Sequence, residues 1–254
     1  MLIVISPAKK LDFKNKAPTI EFGHPPFLKH SQKLIDELRT YKPAQISKLM
    51  GLSQKLTDLN VERYKDYKTP FNLSNAKQAI YAFKGDTYVG LDVDSMKKNQ
   101  INYAQKHLRI LSGLYGIISP LDLIQPYRLE MGTQFPCQGK KNLQKYWNET
   151  ITKEINQLLA KDKSKILINL ASKEYFGVID QNLLTGKVIT PVFKEKKDGK
   201  YKIISFFAKK ARGMMSRYII DHKITDPKEL LKFDTAGYIY NPELSTKNEP
   251  TFVR

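Results

Sequence analysis

The sequence predicts a mixed α/β (α+β) fold: one compact domain over residues 1–254, with a central, mostly parallel sheet, a C-terminal β-hairpin and a helix-hairpin-helix insertion at residues 43–67. Three observations carry this expectation. LIVIS (Leu2–Ser6), HLRILSG (His107–Gly113) and ILINL (Ile166–Leu170) are short, almost continuous apolar runs, the pattern of strands covered on both faces. Between them the residues follow helical periodicity rather than alternation. No linker rich in proline, glycine or serine divides the chain, and no repeat of roughly 20 to 50 residues appears.

In chain order, Leu2–Ser6 supplies the first strand. Helices are expected in SQKLIDELRTY, PAQISKLMGLSQKLTDLNVERYKDY and SNAKQAIYAF, and later in NLQKYWNETITKEINQLLAK. Asp198-Gly199, set between runs rich in aromatic and β-branched residues, is a strong hairpin signal. Beyond it, alternation puts Tyr201, Ile203, Ser205 and Phe207 on one face and Lys202, Ile204 and Phe206 on the other, which sends most of these rings to the core. FFAKKARGMMSRYII (Phe206–Ile220) then reads as an amphipathic helix. Ala208, Ala211, Met215, Tyr218, Ile219 and His222 form one stripe, and Lys209, Lys210, Gly213, Ser216 and Arg217 face the other way. A mid-helix glycine costs about 1 kcal/mol of helix propensity relative to alanine. At Gly213 that cost makes sense if an anionic ligand comes close to the bare face. The closing NPELSTKNEPTFVR reads as a short mobile tail.

Lys and Arg number 43 against 25 Asp and Glu, a net charge of +18. An excess of this size points to a polyanionic partner. MLIVISPAKK has too short an apolar run, and no basic flank before it, for a signal peptide, and no stretch approaches membrane-spanning length, so a cytoplasmic protein without a membrane partner is expected. The single Cys137 excludes an intramolecular disulfide framework and a thiolate zinc cage. His24, His30, His107 and His222 are scattered, so no metal site is expected.

In sheets of this kind ligands collect where strands give way to loops at their carboxyl ends. Those loops read SPAKK, SGLYG and ASKEY, and they present Lys9, Lys173 and Glu174. FKGDTYVG and LIQPYRLEMG place Lys84 near Asp86 and Arg128 near Glu130, beside tyrosines and glycines. Lys9, Lys84, Asp86, Arg128, Glu130 and Glu174 are therefore the candidates for acid–base chemistry or for clamping an anion. Solvated lysines and loop-tying ion pairs account for the same residues. No catalytic triad, GxxxxGK or GxGxxG accompanies them, so no cofactor is expected and enzyme activity is left open.

ISKLMGLSQKL (Ile46–Leu56) has the proportions of a helix-hairpin-helix, whose turn amides and second-helix amino terminus hold a backbone phosphate. Lys48, Gly51, Ser53 and Lys55 would serve it. The standard turn has two glycines one residue apart, and Leu52 and Ser53 follow Gly51 here; a helical hairpin with a glycine C-cap and a serine N-cap fits as well. Phe193–Arg217 adds nine Lys or Arg against two acidic residues, a composition suited to tracking a sugar-phosphate backbone.

MLIVISPAKKLDF, FKGDTYVGL, HLRILSGLYGIISPLDLIQPYRLEMG, NLASKEYF and YKIISFFAKKARGMMSRYII together resemble the bacterial YaaA peroxide-stress family, from Met1 to about Tyr240. The resemblance implies a cytoplasmic protein that helps cells withstand hydrogen peroxide, is associated with lower intracellular free iron, and binds DNA through a basic cleft and a helix-hairpin-helix within a distinctive mixed α/β fold. It places the hairpin on Ile46–Leu56, the lysine after the first strand on Lys9, and the basic helix on Lys209, Lys210, Arg212 and Arg217. The expected function is thus that of a monomeric DNA-binding protein of the peroxide response, gripping double-stranded or distorted DNA mainly through phosphates. The alternative is an enzyme acting on a damaged base, an abasic site or a nucleotide in the same cleft.

Overall fold

A computed structural model describes residues 1–254. Its centre is a five-stranded sheet built from β1 (Leu2–Ile5), β2 (Leu108–Ser112), β3 (Gly116–Ile118), β4 (Ile166–Leu170) and β5 (Lys187–Ile189), in the spatial order β3-β2-β1-β4-β5. The three apolar runs form the middle of this sheet, and β1 pairs in parallel with both β2 and β4. Ile3, Val4 and Ile5 are fully buried, because a central parallel strand is covered on both faces and has no solvent side for a polar residue to occupy. Only β3 runs antiparallel, returning from β2 through a tight turn. At that turn Gly116 has φ +73°, and the ring of Trp147 lies where a Cβ would stand, 2.7 Å away.

Seven α-helices of six or more residues position the rest: α1 (Leu28–Thr40), α2 (Pro43–Met50), α3 (Gln54–Asp66), α4 (Asp86–Leu91), α5 (Lys98–His107), α6 (Leu143–Lys161) and α7 (Ser205–His222). SNAKQAIYAF departs from its helical expectation. Only Ala79–Ala82 is helical, and Lys77–Gln78 and Phe83–Lys84 on either side join two-residue antiparallel ladders with Leu123–Ile124 and Lys10–Leu11. Residues 76–83 are all buried, so their backbone polar groups need partners, and these ladders provide some of them.

The hairpin at Asp198-Gly199 forms as expected, both residues having positive φ, between β6 (Val192–Lys197) and β7 (Lys200–Lys202). It belongs to a second, four-stranded sheet with β8 (Ile239–Asn241) and β9 (Thr251–Val253), in the order β7-β6-β9-β8. Two expectations fail here. The closing segment is no mobile tail: Thr251, Phe252 and Val253 are buried, with β9 between β6 and β8. Phe252 stacks on Phe193 and meets Phe233 edge-on, an aromatic core that anchors the strand. Strand alternation also stops at Lys202, since α7 begins at Ser205, and Tyr201 and Phe206 remain 39 % and 55 % exposed instead of entering the core. Helical spacing wins because it buries Ala208, Ala211, Met215 and Ile219 together, which an extended chain would divide between two faces.

Helix α7 corrects a further reading. Gly213 does not face solvent or a ligand; it crosses α4, and a Cβ there would lie 1.9 Å from the Thr87 carbonyl oxygen. Gly90 makes the reciprocal approach, its would-be Cβ 2.0 Å from the Lys210 carbonyl oxygen. The missing side chains let two backbones touch. Ser216, also assigned to the outer face, is fully buried, and His222, assigned to the apolar stripe, is exposed.

Candidate functional site

The loops leaving β1 and β4 are tied together by two serines. The Ser172 N–H donates to Ser6 Oγ at 2.9 Å, the two hydroxyls lie 3.4 Å apart, and the Tyr88 phenol donates to the Ser6 carbonyl at 3.2 Å. Because β1 and β4 are parallel neighbours, their carboxyl ends open at one edge of the sheet, and the segments bearing Lys9 and Glu174 line the same cavity. The loop after β2 does not join them. SGLYG turns back into β3 and packs beneath Trp147, whose indole N–H donates to the Gly113 carbonyl at 2.9 Å. The chain comes back to the site later, as Tyr127–Glu130, passing so close to Gly113 that a Cβ there would lie 2.3 Å from the Leu129 carbonyl oxygen.

These segments enclose a cavity of about 330 Å³. Lys9, Lys84, Asp86, Arg128, Glu130 and Glu174 all line it, and α7 contributes Lys209 and Arg212. Lys210 and Arg217 lie outside the lining, as does the exposed Lys173. So do Lys48, Gly51, Ser53 and Lys55, which lie on the α2–α3 hairpin. There Gly51 caps α2 at φ +60° and Ser53 occupies the N-cap of α3 without a side-chain capping bond. α3 nevertheless touches the site through a side chain: the Tyr64 phenol donates to the backbone carbonyl of Arg128.

Charges in the cavity divide into paired and unpaired groups. Glu130 bridges two cations, with one oxygen 3.0 Å from Lys9 Nζ and the other 3.2 Å from Arg128 Nη2. Glu174 accepts from the Gly132 N–H at 3.0 Å, which pins the loop that carries Glu130. Lys84 does not pair with Asp86, its neighbour in sequence; it reaches Asp94 at 3.3 Å, since Asp86 has turned into the first residue of α4. Asp86 is left with no side-chain donor, Arg212 with no acceptor, and the buried Nε of Arg128 with none either. Arg217 is fully engaged elsewhere, holding Asp221 at 2.8 Å and the Asp92 carbonyl at 2.9 Å. Burial pushes the phenols of Tyr88, Tyr127 and Tyr175 upward, so the tyrosines in the lining are neutral hydroxyls at ordinary pH.

Reading the sequence missed Ser6 and Ser172, whose bridge joins the two loops, and Tyr64, whose partner is a backbone carbonyl. It also missed Lys10, which stands opposite Lys84 in the short ladder at the cavity wall. The SPAKK and ASKEY loops carry the only advance signal for the serines, a hydroxyl at corresponding strand ends.

A family model described as peroxide stress protein YaaA matches residues 1–244. The chain belongs to the YaaA family. A UPF0246 protein of Shewanella loihica is 52 % identical over the whole chain and 98 % of its own length. The UPF0246 protein of Cellvibrio japonicus has the same identity and coverage, and that of Shewanella woodyi is 50 % identical. Membership in YaaA supports a role in peroxide stress. No helix is long and apolar enough to cross a membrane, and no group of three His, Cys, Asp or Glu side chains is placed to hold a metal ion.

Proposed function

We propose that this YaaA protein binds duplex or distorted DNA during peroxide stress, gripping the phosphate backbone with little sequence preference. The observation that carries the reading is a run of cations without carboxylate partners on α7: Lys209, Lys210 and Arg212 make no ion pair, and two of them open onto the cavity. Lys48 and Lys55, also without ion pairs, flank the α2–α3 turn and would supply a second phosphate contact through the Gly51–Ser53 backbone. Lower free iron, which the family resemblance implies, would reduce the iron-dependent damage that peroxide inflicts on the same DNA. The test is a salt titration of duplex binding. Neutralising roughly five to eight phosphates gives a slope of log K against log[salt] of about −4.5 to −7. A flat titration would sink the proposal.

A second reading is favoured by the assembly of Lys9, Glu130, Arg128 and Glu174 around one cavity. In it, the protein acts on a damaged base, an abasic site or a nucleotide, with Lys9 as base or as amine nucleophile toward an abasic sugar. Borohydride added to a mixture with abasic DNA traps a covalent adduct in that case, and Lys9→Ala abolishes it. No adduct or cleavage across a panel of lesions leaves binding alone.

A further inference from the structure

Four groups in the cavity lack what their chemistry demands. Arg212 is half-buried, stays charged despite the desolvation that lowers its pKa, and has neither a carboxylate nor a hydrogen-bond acceptor. The Nε of Arg128 is buried without an acceptor, although its Nη2 holds Glu130. The exposed Lys10 makes no ion pair; it stands in register with Lys84, which Asp94 holds, and both lysines line the cavity. An unpaired buried donor is a standing cost that an anion at this position would remove.

The fourth group sets the kind of anion. Asp86 lines the same cavity with no donor to its carboxylate, so a bare anion entering here would meet repulsion on one wall. The ligand must carry terminal oxygens for the guanidinium groups and N–H or O–H donors for Asp86. Pro7, Tyr88, Leu129 and Leu170 add apolar lining. The volume, about 330 Å³, falls at the small end of ligand sites, which run from roughly 300 to 1,000 Å³. A phosphate monoester on a sugar and a base meets all of these demands, whereas a carboxylate offers two oxygens to a site with more donors than that.

We propose that this cavity is a site for one nucleotide, its phosphate on Arg212 and the Nε of Arg128 and its sugar or base donating to Asp86. The inference deepens the second reading above in naming the ligand, and it requires neither a reaction nor duplex binding. The nucleotide reaches the cavity either free in solution or as an unpaired residue swung out of a DNA strand; the chemistry of recognition is shared.

The experiment titrates the full chain with the four deoxynucleoside 5′-monophosphates, the corresponding nucleosides and inorganic phosphate at about 0.15 M salt, where exposed charges are screened beyond about 8 Å. At least one monophosphate binds tenfold or more tighter than its nucleoside and than phosphate. Arg212→Met removes that advantage, and Arg212→Lys, which keeps the charge without the fork, reproduces most of the loss and covers the case that the methionine variant fails to fold. Asp86→Asn narrows the margin of the monophosphate over inorganic phosphate, because it takes an acceptor from the sugar or base and removes a charge that repels the bare anion. A monophosphate no tighter than phosphate, or an affinity indifferent to Arg212, overturns the proposal. Duplexes with and without one unpaired nucleotide then assign the source. A preference for the unpaired residue that Arg212→Met erases identifies the strand as the source, and equal binding of both duplexes beside tight monophosphate binding identifies the free nucleotide. If neither duplex binds, the DNA reading fails and the monophosphate result stands by itself.

Discussion

Gly213 of α7 lies against Thr87 of α4 so closely that a Cβ on the glycine would sit 1.9 Å from the threonine carbonyl oxygen. Neither backbone can yield without separating the two helices, and Gly90 locks the same crossing from the other side. Gly213→Ala is expected to destabilise the fold by about 3 kcal/mol, at the upper end of overpacking costs, in spite of alanine's better helix propensity. Urea denaturation checks it. A neutral or stabilising result would mean that the crossing is loose.

Lys209 and Lys210 are adjacent on α7, one exposed on the cavity lining and the other half-buried beside it. Replacing both with alanine should weaken all duplex sequences about equally and make the salt slope shallower by about 2, because phosphate contacts carry no base information. Filter binding at several salt concentrations measures this. Unchanged affinity in a normally folded double variant would remove α7 from the DNA surface.

Burial lifts the Asp122 carboxyl from its ordinary 3.8 to about 6, against the opposing pull of the Ser119 N–H, 2.7 Å away, and of Arg109. The folded state therefore holds a proton that the unfolded chain releases near pH 4. Between about pH 4 and 6 folding binds this proton, so the contribution of Asp122 to stability falls as pH rises through that window, by about 3 kcal/mol at most. Asp122→Asn keeps an oxygen for the Ser119 N–H and cannot ionise. Its stability relative to the wild type should rise across the same window and then level off above pH 6, as read from denaturation curves at each pH.

Cys137 is buried, and burial, with Glu37 nearby, pushes its thiol up to about 12. The thiolate, not the thiol, attacks peroxide, so the folded protein should resist oxidation at this position. Mass spectrometry after millimolar peroxide is expected to find Cys137 reduced in the native protein and oxidised only in denaturant. Rapid sulfenic acid formation in the native state would instead make it a sensor.

The sheet was legible because β1, β2 and β4 lie in the covered middle of the sheet, and a short apolar run bounded by turn residues fits such a strand better than it fits a helix. The convergence of Lys9 and Glu174 was legible for a related reason, since parallel neighbours end side by side. Gly213 was misread because periodicity reports which face a residue occupies and says nothing of a second helix arriving on that face. The same limit hid the Lys84–Asp94 pair and the isolation of Asp86, since both depend on the turn into α4 and not on adjacency in sequence. Thr251–Val253 looked like a tail because three residues carry too little pattern to announce a strand, and its parallel partner, Val192–Lys194, lies far back in the chain.

The position of β1 governs the order in which this molecule can be made. β1 sits in the middle of the sheet, and both of its partners, Leu108–Ser112 and Ile166–Leu170, follow it in the chain. Until the second of these emerges, one hydrogen-bonding edge of Leu2–Ile5 has no mate, and an apolar edge without a mate invites pairing with other chains. Strand pairings this distant in sequence are slow to close. During synthesis β1 therefore keeps one open edge until Ile166–Leu170 has emerged, so the central sheet closes late.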